Sequence, residues 1–323
     1  MKPNNILYLS RSDVKAINLP ISEIIGLIEQ ASVEKGKGMT VLPPKTRIYP
    51  GAGNDFFNSM PCILTSLNIA GCKWQSRIHK FGVSQSSGLN IINDLETGYP
   101  VAIMDSTWIN SMRTAAATAV GVKYLSKKNA NQLGILGCGV QGRTNTESIL
   151  SVRPDIKKIK AYDINHENMR KYEMEIVAKF GVEFIPAQNP EEALSDADII
   201  VTATQIVRNA EGIIEDSWLK KGVFASDLDC GSCWKKITLN SFDKIYTDDV
   251  HTLHNYKQYG LFEGFPEPNG ELAKVILGEA IGRENDDEKI IFINIGLALS
   301  DIIVGYKIFR IAVERKIGIE LNY

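Results

Sequence analysis

The run Gly137-Cys138-Gly139-Val140-Gln141-Gly142 constrains this chain more than any other feature, because it joins an apolar strand, Leu133 to Leu136, to a stretch that reads as a helix. Gly137 permits a tight bend. Gly139 lets backbone approach a pyrophosphate with no Cβ in the way, and Gly142 lets the helix pack closely on its strand, so that the helix N-terminus faces an anion. A second apolar strand, Ile156 to Tyr162, ends in Asp163, about 21 residues past the third glycine, where a carboxylate meets the adenosine ribose in dinucleotide sites. No arginine follows directly in Ile164-Asn165-His166, so NAD is the expected cofactor in preference to NADP, whose 2′-phosphate a carboxylate repels. Asp163 also reads as the N-cap of the next helix, and the two roles can coexist.

From Asn131 to Asn294 strands alternate with helical segments, with Ala197 to Ala203, Val223 to Asp227 and Lys244 to Thr247 as further strands and Lys289 to Asn294 closing the sheet. Such alternation implies a Rossmann-type, doubly wound parallel sheet. Upstream, Ser22 to Lys35 carries a helical pattern, while Ser59 to Cys62, Ile69 to Trp74, Gly88 to Asn93 and Tyr99 to Asp105 read as short strands. Asp94 to Gly98 has hairpin-turn chemistry, and the Ala-rich stretch Ser106 to Leu125 reads as a long helix. Gly296 to Arg315 reads as a helix returning to the N-terminal region. The expected organisation is a substrate-binding and dimerisation domain over residues 1–128, an NAD-binding domain over 129–295, and a C-terminal helical segment, 296–323, that completes a discontinuous mixed α/β first domain.

With 323 residues, 44% hydrophobic, and a formal charge of −2, the chain lacks the basic excess of a nucleic-acid binder. No nucleic-acid partner is expected. Ile290 to Leu299 is too short to span a bilayer, and Asp301 and Lys307 interrupt the stretch beyond it, so no membrane insertion is expected. Met1 to Ser10 lacks the pattern of a secretory leader, and five cysteines in such a chain point to reduced thiols in a cytoplasmic protein.

Several segments together resemble the ornithine cyclodeaminase and mu-crystallin family over nearly the full length. They are Gly71-Cys72-Lys73-Trp74, Asn93 to Pro100, Ser111-Met112-Arg113-Thr114-Ala115-Ala116, the glycine turn, and Gly282 to Glu288. Within the family the chain is most similar to the branch that oxidises an N-substituted amino acid in diaminopropionate biosynthesis. The resemblance implies a homodimer formed through the N-terminal sheet and an amino-acid or imine substrate. It also implies that Arg47, Lys73 and Arg113 surround the substrate carboxylate, with Lys73 also in a catalytic role. Thr114 then contacts a cofactor phosphate, and Thr202, Ala203 and Gly296 join Gly137, Gly139, Val140, Gln141, Gly142 and Asp163 in the cofactor set. The chemistry is coherent: hydride exchange at an amino-acid Cα requires the carboxylate to be gripped, and a guanidinium can do so through two parallel hydrogen bonds.

One segment departs from the family. Where many members read G-x-H-x-N-x-x-G-x-D-x-P-G-K, this chain reads Gly222-Val-Phe-Ala-Ser-Asp227-Leu-Asp229-Cys-Gly231-Ser-Cys-Trp-Lys235, and the family's catalytic aspartate falls on Gly231. Asp227 and Asp229 are the candidate substitutes for that base. Cys230 and Cys233 with His251 and His254 have imperfect spacing for zinc, and no metal is expected. The resulting reading is an NAD-dependent oxidoreductase acting on the C–N bond of an amino acid, N-substituted amino acid or imine. A cyclodeaminase-type lyase that uses NAD catalytically and a crystallin-like ketimine- and dinucleotide-binding protein are the alternatives.

Overall fold

The structure, a computed structural model, describes residues 5–51, 53–80 and 83–322. In chain order its elements begin with β1 (Asn5–Leu9), α1 (Arg11–Ile17), α2 (Ile21–Gly36), β2 (Thr40–Val41), β3 (Thr46–Ile48), β4 (Phe56–Leu64), β5 (Ile69–Lys80), β6 (Val83–Asp94), β7 (Pro100–Asp105) and α3 (Thr107–Leu125). There follow β8 (Gln132–Leu136), α4 (Val140–Val152), β9 (Lys158–Tyr162), α5 (His166–Phe180), β10 (Glu183–Pro186), α6 (Pro190–Leu194), β11 (Ile199–Thr202), β12 (Phe224–Asp227) and α7 (Lys236–Leu239). The chain ends with β13 (Lys244–Thr247), α8 (Val250–Lys257), β14 (Gly270–Glu271), α9 (Leu272–Ile276), β15 (Ile290–Ile293), α10 (Ala298–Arg315) and β16 (Ile319–Asn322). Two compact units result, one of residues 1–113 and 296–323, the other of residues 114–295.

The first unit is built on a mixed sheet ordered β16-β1-β7-β6-β5-β4-β2, with β3 also paired to β4. Its long strands alternate because only one face is covered: Met60, Ile69 and Ile92 are buried on the face that packs against α10, while Trp74, Leu89 and Ile91 stand on the other. Gly71 permits that packing, since a Cβ there would meet the side chain of Ile302 on α10. The expected hairpin turn joins β6 to β7, with Asp94 Oδ1 accepting hydrogen bonds from the backbone N and hydroxyl of Thr97. No described helix is long and apolar enough to cross a membrane.

The second unit is a parallel sheet ordered β10-β9-β8-β11-β12-β15-β13-β14. From β8 the chain first builds outward through β9 and β10, then returns to the other side with β11. The change of direction between β8 and β11 is where open α/β sheets bind ligands, beyond the carboxyl ends of the strands. One expectation needs correction: Ile290–Ile293 does not close the sheet at an edge but lies inside it, paired with β12 and β13. All four of its residues are buried, as an unbroken apolar strand requires when helices cover both faces.

Candidate active site

In the first unit, two residues of the expected carboxylate clamp come together around residues that the sequence reading did not select. Lys73, on β5, places Nζ 2.9 Å from Asp301 Oδ2, and Arg113, on α3, places Nε 3.2 Å from Asp301 Oδ1. Asn110, one turn before Arg113, closes the arrangement: its Oδ1 accepts from Lys73 Nζ at 2.9 Å and from Arg113 Nη2 at 2.6 Å. The four side chains form a ring in which each cation touches the same two acceptors. Asp301 lies in the first turn of α10, where the helix N-terminus favours a carboxylate. Lys73 and Asp301 are both 0% exposed. Burial first, and the nearby Arg113 guanidinium second, bring Lys73 down to about 7 against the opposing attraction of Asp301. A lysine so placed is poised to exchange a proton near neutral pH.

Gly296 lies against this ring, because a Cβ at that position would collide with the Arg113 guanidinium. Its carbonyl accepts from Lys45 Nζ at 2.9 Å, adding a buried cation that the sequence reading passed over. Arg47, on β3, has Nε bonded to Asn58 Oδ1 at 3.0 Å and its guanidinium 3.9 Å from the centre of the Phe56 ring. Asn90, directly opposite Lys73 in the β5–β6 register, donates from Nδ2 to the Asp301 carbonyl.

In the second unit the glycine turn has the expected build. Gly137 sits at φ +95°, and a Cβ there would lie 2.5 Å from the carbonyl oxygen of Ala203. A Cβ on Gly142 would collide with the Gly137 carbonyl, whereas one on Gly139 would meet nothing within 4 Å. Two glycines are therefore needed by the protein itself, and the third leaves the approach to the backbone open. Gly139 is the N-cap of α4 and supplies no side-chain cap, so the first amides of α4, from Val140 and Gln141 onward, are not capped by a side chain at that residue. Asp163 reaches the same turn: its Oδ2 accepts from the Cys138 amide at 2.8 Å and its Oδ1 from the Asn165 amide at 2.8 Å. Oδ2 also accepts from Asn168 Nδ2 at 3.4 Å, so it is Oδ1 that keeps a further acceptor site. The next helix is capped by Asn165 rather than Asp163, with the Asn165 side chain accepting from the amides of Glu167 and Asn168.

Thr202, at the end of β11, points its hydroxyl to Asp227 Oδ1 at 3.3 Å and accepts from the Trp234 indole at 3.3 Å, so its side chain serves the protein interior. Ala203 continues the β8 ladder through its amide, and the Thr114 carbonyl accepts from Asn294 Nδ2 at 3.0 Å.

Asp227 and Asp229 form the second buried charged group, at 1% and 0% exposure. Both Asp227 oxygens accept from the Gly231 amide, and Asp229 Oδ2 accepts from the Thr204 hydroxyl at 2.7 Å. Burial, followed by the charge of Asp229, holds Asp227 well above the usual carboxylate range. Gly231, where the family's catalytic aspartate falls, sits at φ +81°, and a Cβ would come 2.5 Å from the Phe265 ring. The loop as folded has no room for a side chain there. Cys233 is held by Thr204 at 3.1 Å, and burial together with Asp229 pushes its thiol up, away from the thiolate that redox or metal chemistry needs. None of the five cysteines forms a disulfide. The charged loop before β15 is structural, since Arg283 donates to the carbonyls of Leu125, Glu288, Asn285 and Val223.

Known proteins resemble this arrangement along the whole chain. The N-((2S)-2-amino-2-carboxyethyl)-L-glutamate dehydrogenase of Staphylococcus aureus is 31% identical, with 98% of each chain covered. The Thermococcus litoralis Δ1-pyrroline-2-carboxylate reductase, solved in complex with NADH and L-proline, is 30% identical and superimposes with a TM-score of 0.86, covering 98% of this chain and 100% of that one. An archaeal alanine dehydrogenase dimer with bound NAD gives a TM-score of 0.85 at 27% identity, with 99% of each chain covered. The family model described as ornithine cyclodeaminase/mu-crystallin matches residues 5–316, and the chain belongs to that family.

Proposed function

We propose that the protein is an NAD-dependent oxidoreductase that acts on the C–N bond of an amino acid, an N-substituted amino acid or the corresponding imine. The observation that carries this reading is the buried ring of Lys73, Asp301, Arg113 and Asn110, which pairs a cationic clamp for a carboxylate with a lysine whose proton is labile near neutral pH. Relatives that are dehydrogenases and reductases of such compounds support it.

The glycine turn fits a dinucleotide: Gly139 leaves its backbone approachable, α4 offers its amides to a pyrophosphate, and half-buried Asp163 has acceptor capacity for ribose hydroxyls. Bound there, NAD supplies a hydride acceptor. In the oxidative direction Arg113 and Arg47 grip the substrate carboxylate, and neutral Lys73 takes a proton from the substrate ammonium, which leaves the nitrogen lone pair free to assist loss of hydride from Cα. In reverse, the Lys73 ammonium returns that proton to nitrogen. Asp301 and Asn110 keep the two cations side by side through both steps. Asp227 and Asp229 are closed off from solvent, and burial pushes Asp227 toward its protonated form, so the proton-transfer role falls to Lys73.

The blocked position of Gly231 favours a dehydrogenase over a cyclodeaminase, which must manage further proton transfers while retaining its reduced cofactor. A second copy of the chain covers the outer face of the first sheet, where Trp74, Leu89 and Ile91 are 43%, 40% and 36% exposed and Phe57 stacks on Trp74 at 5.8 Å. The dimeric alanine dehydrogenase supports this. Trp74→Glu is expected to convert a dimer to a monomer by light scattering.

An anaerobic screen of amino acids with NAD, reading NADH and ammonia together, tests the reaction. Stoichiometric NADH with an oxidised product is expected, with ornithine a poor substrate. Conversion of ornithine to proline and ammonia without net NADH would establish the lyase instead.

A further inference from the structure

In the second unit the strand order β10-β9-β8-β11-β12-β15 sets three strands on each side of the change of direction. Such an order marks two mononucleotide-binding halves, and a dinucleotide lies across them beyond the carboxyl ends of the strands. The glycine turn and Asp163 follow β8 and β9, which belong to one half. The other half, built on β11, β12 and β15, falls to the second nucleotide of the cofactor, the one that carries nicotinamide. Asn294 follows directly on β15, and its backbone amide donates to the Asp227 carbonyl at 3.0 Å, so it stands at the carboxyl end of this half.

Its side chain is bonded through one atom only. Nδ2 donates to the Thr114 carbonyl at 3.0 Å and to the Thr118 hydroxyl at 3.1 Å, which commits both of its hydrogens to α3. The Thr118 hydroxyl is in turn 3.2 Å from Ser226 Oγ on β12. Turning the amide over would set its oxygen against the Thr114 carbonyl oxygen, so the orientation is fixed. Oδ1 is therefore directed away from these partners. It is buried, on a residue 5% exposed, and has no hydrogen-bond partner among the described residues. A buried acceptor without a donor is both rare and costly, and an incoming N–H group would satisfy it.

From this geometry we infer that Asn294 Oδ1 accepts a hydrogen bond from the carboxamide NH2 group of nicotinamide and so fixes the orientation of the ring. The inference rests on the dinucleotide reading of the second unit and is independent of which amino acid or imine is the substrate. The carboxamide bears the only hydrogen-bond donors of nicotinamide, and two neutral amides can meet in a buried place with no charge to desolvate. A buried water is the competing donor, and it would not distinguish one cofactor from another.

The test is calorimetric titration of the unmodified protein and of Asn294→Ala with three probes. They are NADH, reduced 3-acetylpyridine adenine dinucleotide, whose ketone keeps the carbonyl but has no N–H, and ADP-ribose, which has no ring. The unmodified protein is expected to bind NADH about tenfold more tightly than the acetylpyridine analogue. Asn294→Ala should weaken NADH by about the same factor and abolish the preference, while ADP-ribose binding stays within about twofold. NADH and the analogue binding equally to the unmodified protein would overturn the assignment with no variant needed. A preference that persists in Asn294→Ala would also overturn it and leave Oδ1 to a buried water. Equal losses for NADH and ADP-ribose would overturn it as well, since Asn294 would then serve only the packing of α3 on the sheet. Failure of both NADH and ADP-ribose to bind the unmodified protein would reject the dinucleotide reading, and this assignment with it.

Discussion

The two units each bury a group of ionisable side chains, and they solve the cost of doing so in opposite ways. In the first unit two cations share one carboxylate and one amide oxygen, so opposite charges face each other and Lys73 is brought only to about 7. In the second, two carboxylates face each other with hydroxyl and amide donors but no cation in their hydrogen-bond set among the described residues, and Asp227 is pushed well above the usual carboxylate range. Burial penalises charge in both, but only an opposite charge can offset it. The ring therefore stays partly charged and can receive an anion. The carboxyl pair is pushed toward its protonated form at Asp227 and belongs to the architecture at the end of β12.

The largest expected effect comes from removing the ring's cations. Lys73→Ala is expected to lower turnover about a hundredfold to ten-thousandfold, the range of a positioned general acid or base, and Arg113→Ala to cost about 2 to 5 kcal/mol in kcat/KM. Calorimetry should show NADH still bound by both variants. Turnover within twofold of the original in either would remove the ring from the chemistry.

Stability separates the two groups next. Asp301→Asn leaves two cations without their carboxylate and is expected to destabilise by about 3 to 5 kcal/mol in urea unfolding. Asp227→Asn replaces a carboxyl that burial pushes toward its protonated form by an amide of the same shape, and should change stability by no more than about 1 kcal/mol near neutral pH. Equal losses would mean that both groups are charged.

The pH dependence carries opposite signs. Lys73 titrates below its ordinary 10.5, so the unfolded chain binds more protons between about 7 and 10.5, and this contribution to stability rises across that window and is lost as pH falls through 7. Asp227 titrates above its ordinary 3.8, so its contribution is full below that value and is lost as pH rises toward its folded value. Unfolding followed across pH in Lys73→Met and Asp227→Asn should each flatten one slope.

The smallest effect concerns Asp163, a third carboxylate that is only half-buried and accepts two backbone amides. A carboxylate at this position should disfavour the 2′-phosphate of NADP, and Asp163→Ser is expected to narrow the preference for NAD about tenfold, or about 1.4 kcal/mol. Equal affinity of the unmodified protein for the two cofactors would contradict the assignment.

What was legible in the sequence divides along the same physical line. The glycine turn could be read because its constraints are local: Gly137 and Gly142 are required by backbone a few residues away or on the next strand. Lys73 and Arg113 were found through the family resemblance, but Asp301, which defines their geometry, was seen only as an interruption in an apolar helix. It lies 228 residues from Lys73, and nothing local announces such a pairing. Asn110 had a fainter signal, three residues before Arg113 and hence on the same helix face. The place of β15 inside its sheet was likewise hidden, because strand order is set by long-range packing, although its unbroken Ile-Ile-Phe-Ile run is the mark of a strand covered on both faces.

The pH dependence of kcat/KM for amino-acid oxidation in the unmodified protein, Asp301→Asn and Asp227→Asn tests most directly whether Lys73 in its ring moves the proton. Activity should rise through an acid limb near 7, set by Lys73. Asp301 holds that value up, so Asp301→Asn should move the limb to lower pH while Asp227→Asn leaves it in place. A limb that shifts in Asp227→Asn and stays fixed in Asp301→Asn would transfer the proton chemistry to the carboxyl pair.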